Sequence, residues 1–174
     1  MATLRATERI AVLGTIDPDA YAANSYNTDV IDMQNWGRVV FIVQAGELGS
    51  SATLDFAVHG DAASGGSFTN QVTGKAITQL TQAGTDSDKK ALIEITAEEA
   101  KAQGFRYLRG TLTSGAAASD AGVIVLGVDP RFAQGSKSTR QYRSWQFNRP
   151  LGARGTCGLG SAFNLSATLE ESVM

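Results

Sequence analysis

The chain has 174 residues, 43% hydrophobic and 18% charged, a globular composition that is long enough for one domain to bury a core without metals or disulfides. Its net charge of −2 disfavours a dedicated nucleic-acid-binding protein, and its single cysteine, Cys157, excludes an internal disulfide and a multi-cysteine zinc site. We expect neither a signal peptide nor a membrane span, because no basic start leads into an apolar run and no 18-residue apolar stretch is present.

Short β-strands dominate the chain, separated by segments rich in Gly, Ser, Asp and Asn that are typical of turns. Alternation of apolar and polar residues and enrichment in β-branched residues predict eight strands. They are Arg9–Gly14, Asp29–Met33, Arg38–Ala45, Ala52–His59, Ala76–Thr81, Lys90–Thr96, Phe105–Thr113 and Gly122–Val128. This spacing predicts a mainly β protein, an antiparallel β-sandwich or barrel of jelly-roll or Ig-like type.

Two of the predicted strands are apolar on both faces. Val39–Val43 is an unbroken apolar run, and Gly122–Val128 is nearly so, whereas Leu54, Phe56 and Val58 alternate with polar residues. A continuous run favours a central strand that is covered on both sides. The two runs therefore indicate a closed or two-sheet structure, or a sheet with one face buried by a partner subunit.

One short helix is predicted after the Lys90–Thr96 strand. Thr96 and Glu99 have the spacing of a capping box, in which each side chain bonds the backbone N–H of the other residue. We divide the chain into an N-terminal lead-in with a possible first strand (1–27), a β-sandwich core domain (28–135) and an extended C-terminal arm (136–174).

The arm is basic and contains aromatic residues, unlike the rest of the chain. Residues 1–130 carry 9 basic and 15 acidic side chains, and residues 131–174 carry 6 and 2. Arginine and aromatic residues commonly anchor protein interfaces, although arginines with Tyr142 or Trp145 could also bind single-stranded nucleic acid. We predict a protein interface at Arg140, Tyr142, Arg143, Trp145, Phe147 and Arg149.

Candidate catalytic and metal-binding residues are sparse, and we expect no enzyme, cofactor or metal site. His59 is the only histidine, and nothing around Cys157 matches a cysteine-enzyme signature. Gly155–Gly160 resembles a phosphate-binding loop in glycine content alone, since no Gly-Lys-Ser/Thr follows it. Two Asp-x-Asp pairs, at 17/19 and 86/88, could bind calcium but do not continue into an EF-hand pattern, so we interpret them as turn formers.

Three stretches carry a family resemblance: Thr28–Leu48, Gly74–Thr113 and Gly122–Gly135. Their landmarks are Ile-Asp-Met followed by Trp, the strand Gly-Phe-Arg-Tyr-Leu-Arg and the ending Asp-Pro-Arg-Phe. In order and spacing these resemble a group of small proteins encoded beside the major capsid protein in tailed bacteriophages. The resemblance covers Thr28–Gly135, and the extension Ser136–Met174 is longer than in that group.

The resemblance implies a virion protein, a capsid decoration or cement protein on the outer surface of the head, assembled in the bacterial cytoplasm. Its implied partners are the major capsid protein and other copies of itself, as a homotrimer, with no nucleic acid or membrane. Two alternatives stay open: a head-completion or tail-associated subunit, and a carbohydrate-binding β-sandwich that would use Trp36, Tyr21 and Tyr26.

Overall fold

The computed structural model describes residues 9–132, which form two antiparallel sheets packed face to face. Their strands are β1 (Ile10–Tyr21), β2 (Asn24–Asn27), β3 (Ile31–Asp32), β4 (Trp36–Leu48), β5 (Thr53–Asp61), β6 (Asn70–Ala76), β7 (Leu80–Thr81), β8 (Lys90–Thr96), β9 (Tyr107–Gly115) and β10 (Ser119–Pro130). A short helix, α1 (Ala97–Ala102), lies between β8 and β9. The prediction of a mainly β, antiparallel sandwich with a short helix is confirmed.

The strand order is that of a jelly roll. Sheet A has the order β1-β10-β4-β8, and sheet B has the order β2-β9-β5-β6, with β3 added beside β9 and β7 beside β5. With the two-residue strands β3 and β7 set aside, eight strands remain, and they pair in a nested order. β1 pairs with β10, β2 with β9, β4 with β8 and β5 with β6. The chain is therefore one long antiparallel ribbon wrapped into two sheets, the jelly-roll arrangement.

The core fills the space between the sheets with side chains that alternate along each strand. Sheet A contributes Phe41 of β4 and sheet B contributes Phe56 of β5, with ring centroids 5.7 Å apart. Leu54, Phe56 and Val58 are fully buried, as the alternation on that strand predicts. Thr53, Asp55, Ala57 and His59 take the opposite, outer face.

Several strand bounds differ from the sequence prediction. β1 runs on to Tyr21 through two irregularities, after Val12 and after Ile16, and pairs with β10 throughout. The predicted strand Ala76–Thr81 is wrong in its middle, because β6 ends at Ala76 and β7 begins at Leu80. β2 and β6 were not predicted. Both are outer strands of sheet B whose Asn- and Gly-containing sequences look like turns, and β6 buries only Val72.

Helix α1 begins with the predicted capping box. The Thr96 hydroxyl accepts a hydrogen bond from the Glu99 N–H at 3.2 Å, and the Glu99 carboxylate accepts one from the Thr96 N–H at 2.8 Å. Ala97 and Ala100 face the core. The box satisfies backbone N–H groups at the helix start and places α1 across one end of the sandwich.

Candidate protein-interaction surface

The outer face of sheet A carries apolar side chains that no other described part of the chain covers. Ile10, Val12 and Leu92 are 44%, 45% and 68% exposed. On the two strands between them, Val40, Ile42, Ile124, Leu126 and Val128 are half-buried by their neighbours in the sheet. We call these eight residues the apolar belt.

Strand register brings the belt together into three neighbouring rows. Ile10 pairs with Val128 in the first row, Val12 with Leu126 and then Val40 in the second, and Ile124 with Ile42 and then Leu92 in the third. Each row crosses adjacent strands about 4.8 Å apart, so side chains in a row touch one another. Glu94 completes the second row and Thr15 the third, so no single row is apolar on all four strands, but together the three rows place an apolar side chain on each strand of sheet A.

The belt corrects one prediction from the apolar runs. β4 and β10 are central strands, as expected, because β10 lies between β1 and β4 and β4 lies between β10 and β8. However, Val39, Phe41 and Val43 are fully buried while Val40 and Ile42 face outward, so within residues 9–132 only one face of sheet A is covered. The sequence feature that indicated the belt was the unbroken apolar run Val39–Val43. One interpretation of that run was a sheet face covered by a partner subunit.

A group of ion pairs borders the belt at the end where β10 finishes. Arg38 Nη2 donates to Asp129 Oδ2 at 2.5 Å, and Arg38 Nη1 donates to Glu94 Oε1 at 3.4 Å. Arg9 Nη2 contacts the other Asp129 oxygen at 3.4 Å. The hydrogen bond from Arg38 lowers the pKa of Asp129, so this carboxylate stays charged beside the belt.

An acidic cleft borders the belt at its other end. The next row of sheet A, Gly122–Gln44–Lys90, lies at its base, and Pro18 packs on Gly122. Asp19, Asp88 and Asp120 line an open cavity of about 600 Å³ there. Three carboxylates face one ammonium group, Lys90, so the cleft carries a net negative charge at neutral pH. The outer face of sheet A therefore combines an apolar surface with an anionic cleft.

The outer face of sheet B is polar by contrast. Ser25 and Thr113 share a hydrogen bond of 3.0 Å, and the Thr111 hydroxyl donates to Asn27 Oδ1 at 2.8 Å. The Gln79 amide donates to Asp55 at 2.7 Å. These side chains bond to each other across the strands, as expected of a face that contacts water.

His59 and Arg109 are cross-strand neighbours on the same polar face. The Arg109 guanidinium lies 4.7 Å from the ring centroid of Phe68, a cation–π contact. Burial, and secondarily the charge of Arg109, lowers the pKa of His59, so the imidazole is neutral at pH 7. Cys157, the other half of the hypothetical thiol–imidazole pair, and the loop Gly155–Gly160 lie outside the described residues.

Of the two aspartate pairs, only 86/88 lies in a turn, between β7 and β8. Asp17 and Asp19 lie within β1, so their interpretation as turn formers was wrong. Asp86 accepts a hydrogen bond from the Thr81 N–H at 2.9 Å and an ion pair from Lys89. Asp19 accepts one from the Ala20 N–H at 2.8 Å, and Asp17 accepts one from the Thr15 hydroxyl at 3.1 Å. Between residues 9 and 132, no group of three His, Cys, Asp or Glu side chains is arranged to hold a metal ion.

The aromatic residues considered for carbohydrate binding pack against other parts of the fold, although Tyr21 and Tyr26 are only partly buried. Trp36 is buried in the core at the start of β4. Tyr21 and Tyr26 pack together with ring centroids 4.4 Å apart, and their hydroxyls donate to backbone carbonyls of Asp17 and Ala22. None of the three is a free aromatic platform.

The six predicted interface residues, Arg140, Tyr142, Arg143, Trp145, Phe147 and Arg149, lie outside the described residues. The prediction for the arm therefore stays a prediction.

Among the described helical residues, none belongs to a helix long and apolar enough to cross a membrane. Compared with models of known protein families and with curated proteins, the chain matches none.

Proposed function

We propose that this chain is a structural attachment protein, a decoration or cement protein of a tailed-bacteriophage head. The observation that carries the proposal is the apolar belt on the outer face of sheet A. The largest exposed apolar patch of a folded domain is often functional. The resemblance over Thr28–Gly135 implies that the bound protein is the capsid or a neighbouring copy of this chain on the head.

The fold is compatible with this role. Jelly rolls recur in viral capsid proteins and in lectins, so the fold alone does not select a function. The buried position of Trp36 and the backbone bonds of Tyr21 and Tyr26 favour the virion role over carbohydrate binding, because a sugar would need an exposed aromatic surface.

The proposed mechanism is mechanical. Packaged DNA pushes the shell outward, and a rigid domain that binds across capsomer boundaries raises the free energy needed to separate them. Each contact can be weak, because many copies on one particle act together through avidity. A cyclic trimer at three-fold positions is the arrangement that the resemblance implies, and closed cyclic symmetry suits such positions.

A Leu92→Lys variant tests the role of the belt. Leu92 is 68% exposed, so the change leaves the core intact. Burial of a leucine side chain stabilises a contact by about 1.5–3 kcal/mol, so we expect the apparent affinity for heads stripped of the protein to fall at least about tenfold. Cosedimentation of the full-length chain with those heads, read as copies bound per particle, measures this affinity.

The matched control is Gln71→Lys, which adds the same charge at an exposed position of β6 on sheet B. It should bind heads as the natural chain does. Saturation at hundreds of copies supports a decoration protein, whereas a dozen or fewer would indicate a head-completion or tail-associated subunit. Equal binding by the two lysine variants would argue against attachment through the belt.

A further inference from the structure

The size of the apolar belt limits what can cover it. Four strands about 4.8 Å apart give a width of about 19 Å, and three rows extend about 13 Å along the strands. The belt therefore lies within about 250 Å² of sheet, whereas a stable interface between globular proteins buries about 800 Å² per partner. A second domain packed on the belt alone would form only a weak contact, but an extended polypeptide segment has the right dimensions.

The chain itself contains a segment with matching chemistry. Residues 136–149 contain Tyr142, Trp145 and Phe147 together with four basic and no acidic residues. The outer face of sheet A offers the apolar belt and, beside it, the cleft lined by Asp19, Asp88 and Asp120. Aromatic side chains are suited to the belt and arginines to the carboxylates, so the two surfaces are complementary in both hydrophobicity and charge.

The lengths also agree. From the belt at Val128 to the cleft at Asp120 the face follows eight residues of β10, about 27 Å. Fourteen residues in extended conformation reach about 46 Å. Residues 136–149 are therefore long enough to cover the belt and place an arginine in the cleft.

The exit of the chain from sheet A favours a neighbouring copy as the source of the segment. Pro130 pairs with Trp36, and the Arg131 N–H donates to the Asn35 carbonyl at 3.0 Å. Asn35 precedes β4, so at this point the chain still runs in the direction of β10, past the end of the sheet and away from the cleft. Phe132 follows, 64% exposed.

We propose that residues 136–149 of one copy lie across the outer face of sheet A of a neighbouring copy, with aromatic side chains on the apolar belt and arginines in the acidic cleft. This inference rests on the proposed function, since a decoration protein is held beside its neighbours on the head. Each copy then contributes residues 136–149, here called the strap, to one neighbour and receives the strap of another neighbour on its own sheet A. A closed ring of copies therefore covers every belt.

Photo-crosslinking in the full-length chain tests the occupant directly. Trp145 is replaced by benzoylphenylalanine, and unlabelled variant chains are mixed with ¹⁵N-labelled natural chains at high concentration, both free and on heads. We expect crosslinked peptides that join position 145 of an unlabelled chain to β4, β8 or β10 of a labelled chain. Crosslinks only within one chain, or only to residues away from the outer face of sheet A, would overturn the proposal.

A charge exchange gives a second measurement that does not depend on the crosslinker. Arg143→Glu in the crosslinker chain and Asp120→Arg in the labelled chain should each reduce the yield of the inter-chain crosslink several-fold. The two changes together, one on each chain, should recover it, because the attraction is restored with its sign reversed. Gln71→Arg, with the same added charge on sheet B, is the control for Asp120→Arg. No recovery when the two variant chains are mixed, with both variants folded, would contradict the arginine-to-cleft contact.

The two proposals fail in different ways. If the chain does not bind heads but the free protein still gives the inter-chain crosslink, the decoration role is wrong and the link between copies stands. If heads bind the chain and the crosslink is absent both on heads and in solution, the decoration role stands and the strap is wrong. On heads, loss of the strap should weaken apparent affinity by about 100-fold or more, as expected when linked contacts are lost.

Discussion

Gly60 sets how closely the segment between α1 and β9 approaches β5. It lies on the inner face of β5, and a Cβ atom at this position would overlap the ring of Phe105. The glycine therefore makes room for an aromatic side chain that packs against the core between α1 and β9. The requirement is steric, since Gly60 does not have a positive φ.

We expect Gly60→Ala to lower the free energy of unfolding by about 1–3 kcal/mol, because overpacking forces the ring or the backbone to move. Gly65→Ala is the matched control, since a Cβ atom there meets nothing within 4 Å. Urea denaturation of both variants measures the difference. Equal unfolding midpoints would show that Phe105 moves aside freely.

At the scale of elements, the capping box links β8 to α1 and then to sheet B. Glu99 accepts from the Thr96 N–H and also pairs with Lys75 of β6 at 2.9 Å. The hydrogen bond from Thr96, and then that from Lys75, lowers the pKa of Glu99. The Glu99 carboxylate therefore bonds the last residue of β8 at the start of α1 and also contacts β6, an outer strand of sheet B.

Thr96→Ala should destabilise the protein by about 1 kcal/mol, the usual effect of losing an N-cap side chain. Glu98→Gln, in the same turn but outside the capping box, should have a smaller effect. The helix is short, so hydrogen exchange of the amides from 97 to 105 is the sensitive measurement. Unchanged protection in Thr96→Ala would mean that packing of Ala97 and Ala100 alone holds the helix.

Strong apolar patterns made most elements predictable from the sequence. The runs that became β4, β5, β8, β9 and β10 alternate or are continuously apolar, and Thr96 with Glu99 marked the helix start. β2 and β6 were missed because Asn24–Asn27 and Asn70–Ala76 bury little and resemble turns, so only pairing with β9 and β5 makes them strands. The belt was predicted only in part. The run Val39–Val43 indicated a strand covered on both faces, but the sequence did not identify what covers the outer face.

At the scale of the whole molecule, the two outer faces have opposite characters. Sheet B presents hydroxyl, amide and carboxylate groups that bond to each other across the strands, whereas sheet A presents the apolar belt between ion pairs and the acidic cleft. Strand alternation alone does not assign these characters, because each depends on which strands become neighbours. The jelly-roll pairing of β1, β10, β4 and β8 gathers the apolar rows onto one face.

The response of the fold to acid should show two separate steps. His59 has a lowered pKa in the folded state, so the unfolded chain takes up a proton below its ordinary value of 6.5 while the folded chain does not, and stability falls. Asp32, Asp86 and Glu99 also have lowered pKa values, caused first by hydrogen bonds from Arg106, Lys89 and Thr96 respectively. Their contribution is present above the ordinary carboxyl pKa values of 3.8 and 4.5 and is lost as pH falls through the folded values.

The chain's only histidine makes the upper step separable. We expect the urea midpoint to decrease first below about pH 6.5 and again below about pH 4.5 in the natural chain. His59→Gln should remove the first decrease and leave the second, because glutamine does not titrate and the carboxylates keep their partners. Denaturation between pH 3 and pH 8 measures both steps. A first decrease that persists in His59→Gln would mean that a group other than His59 causes it.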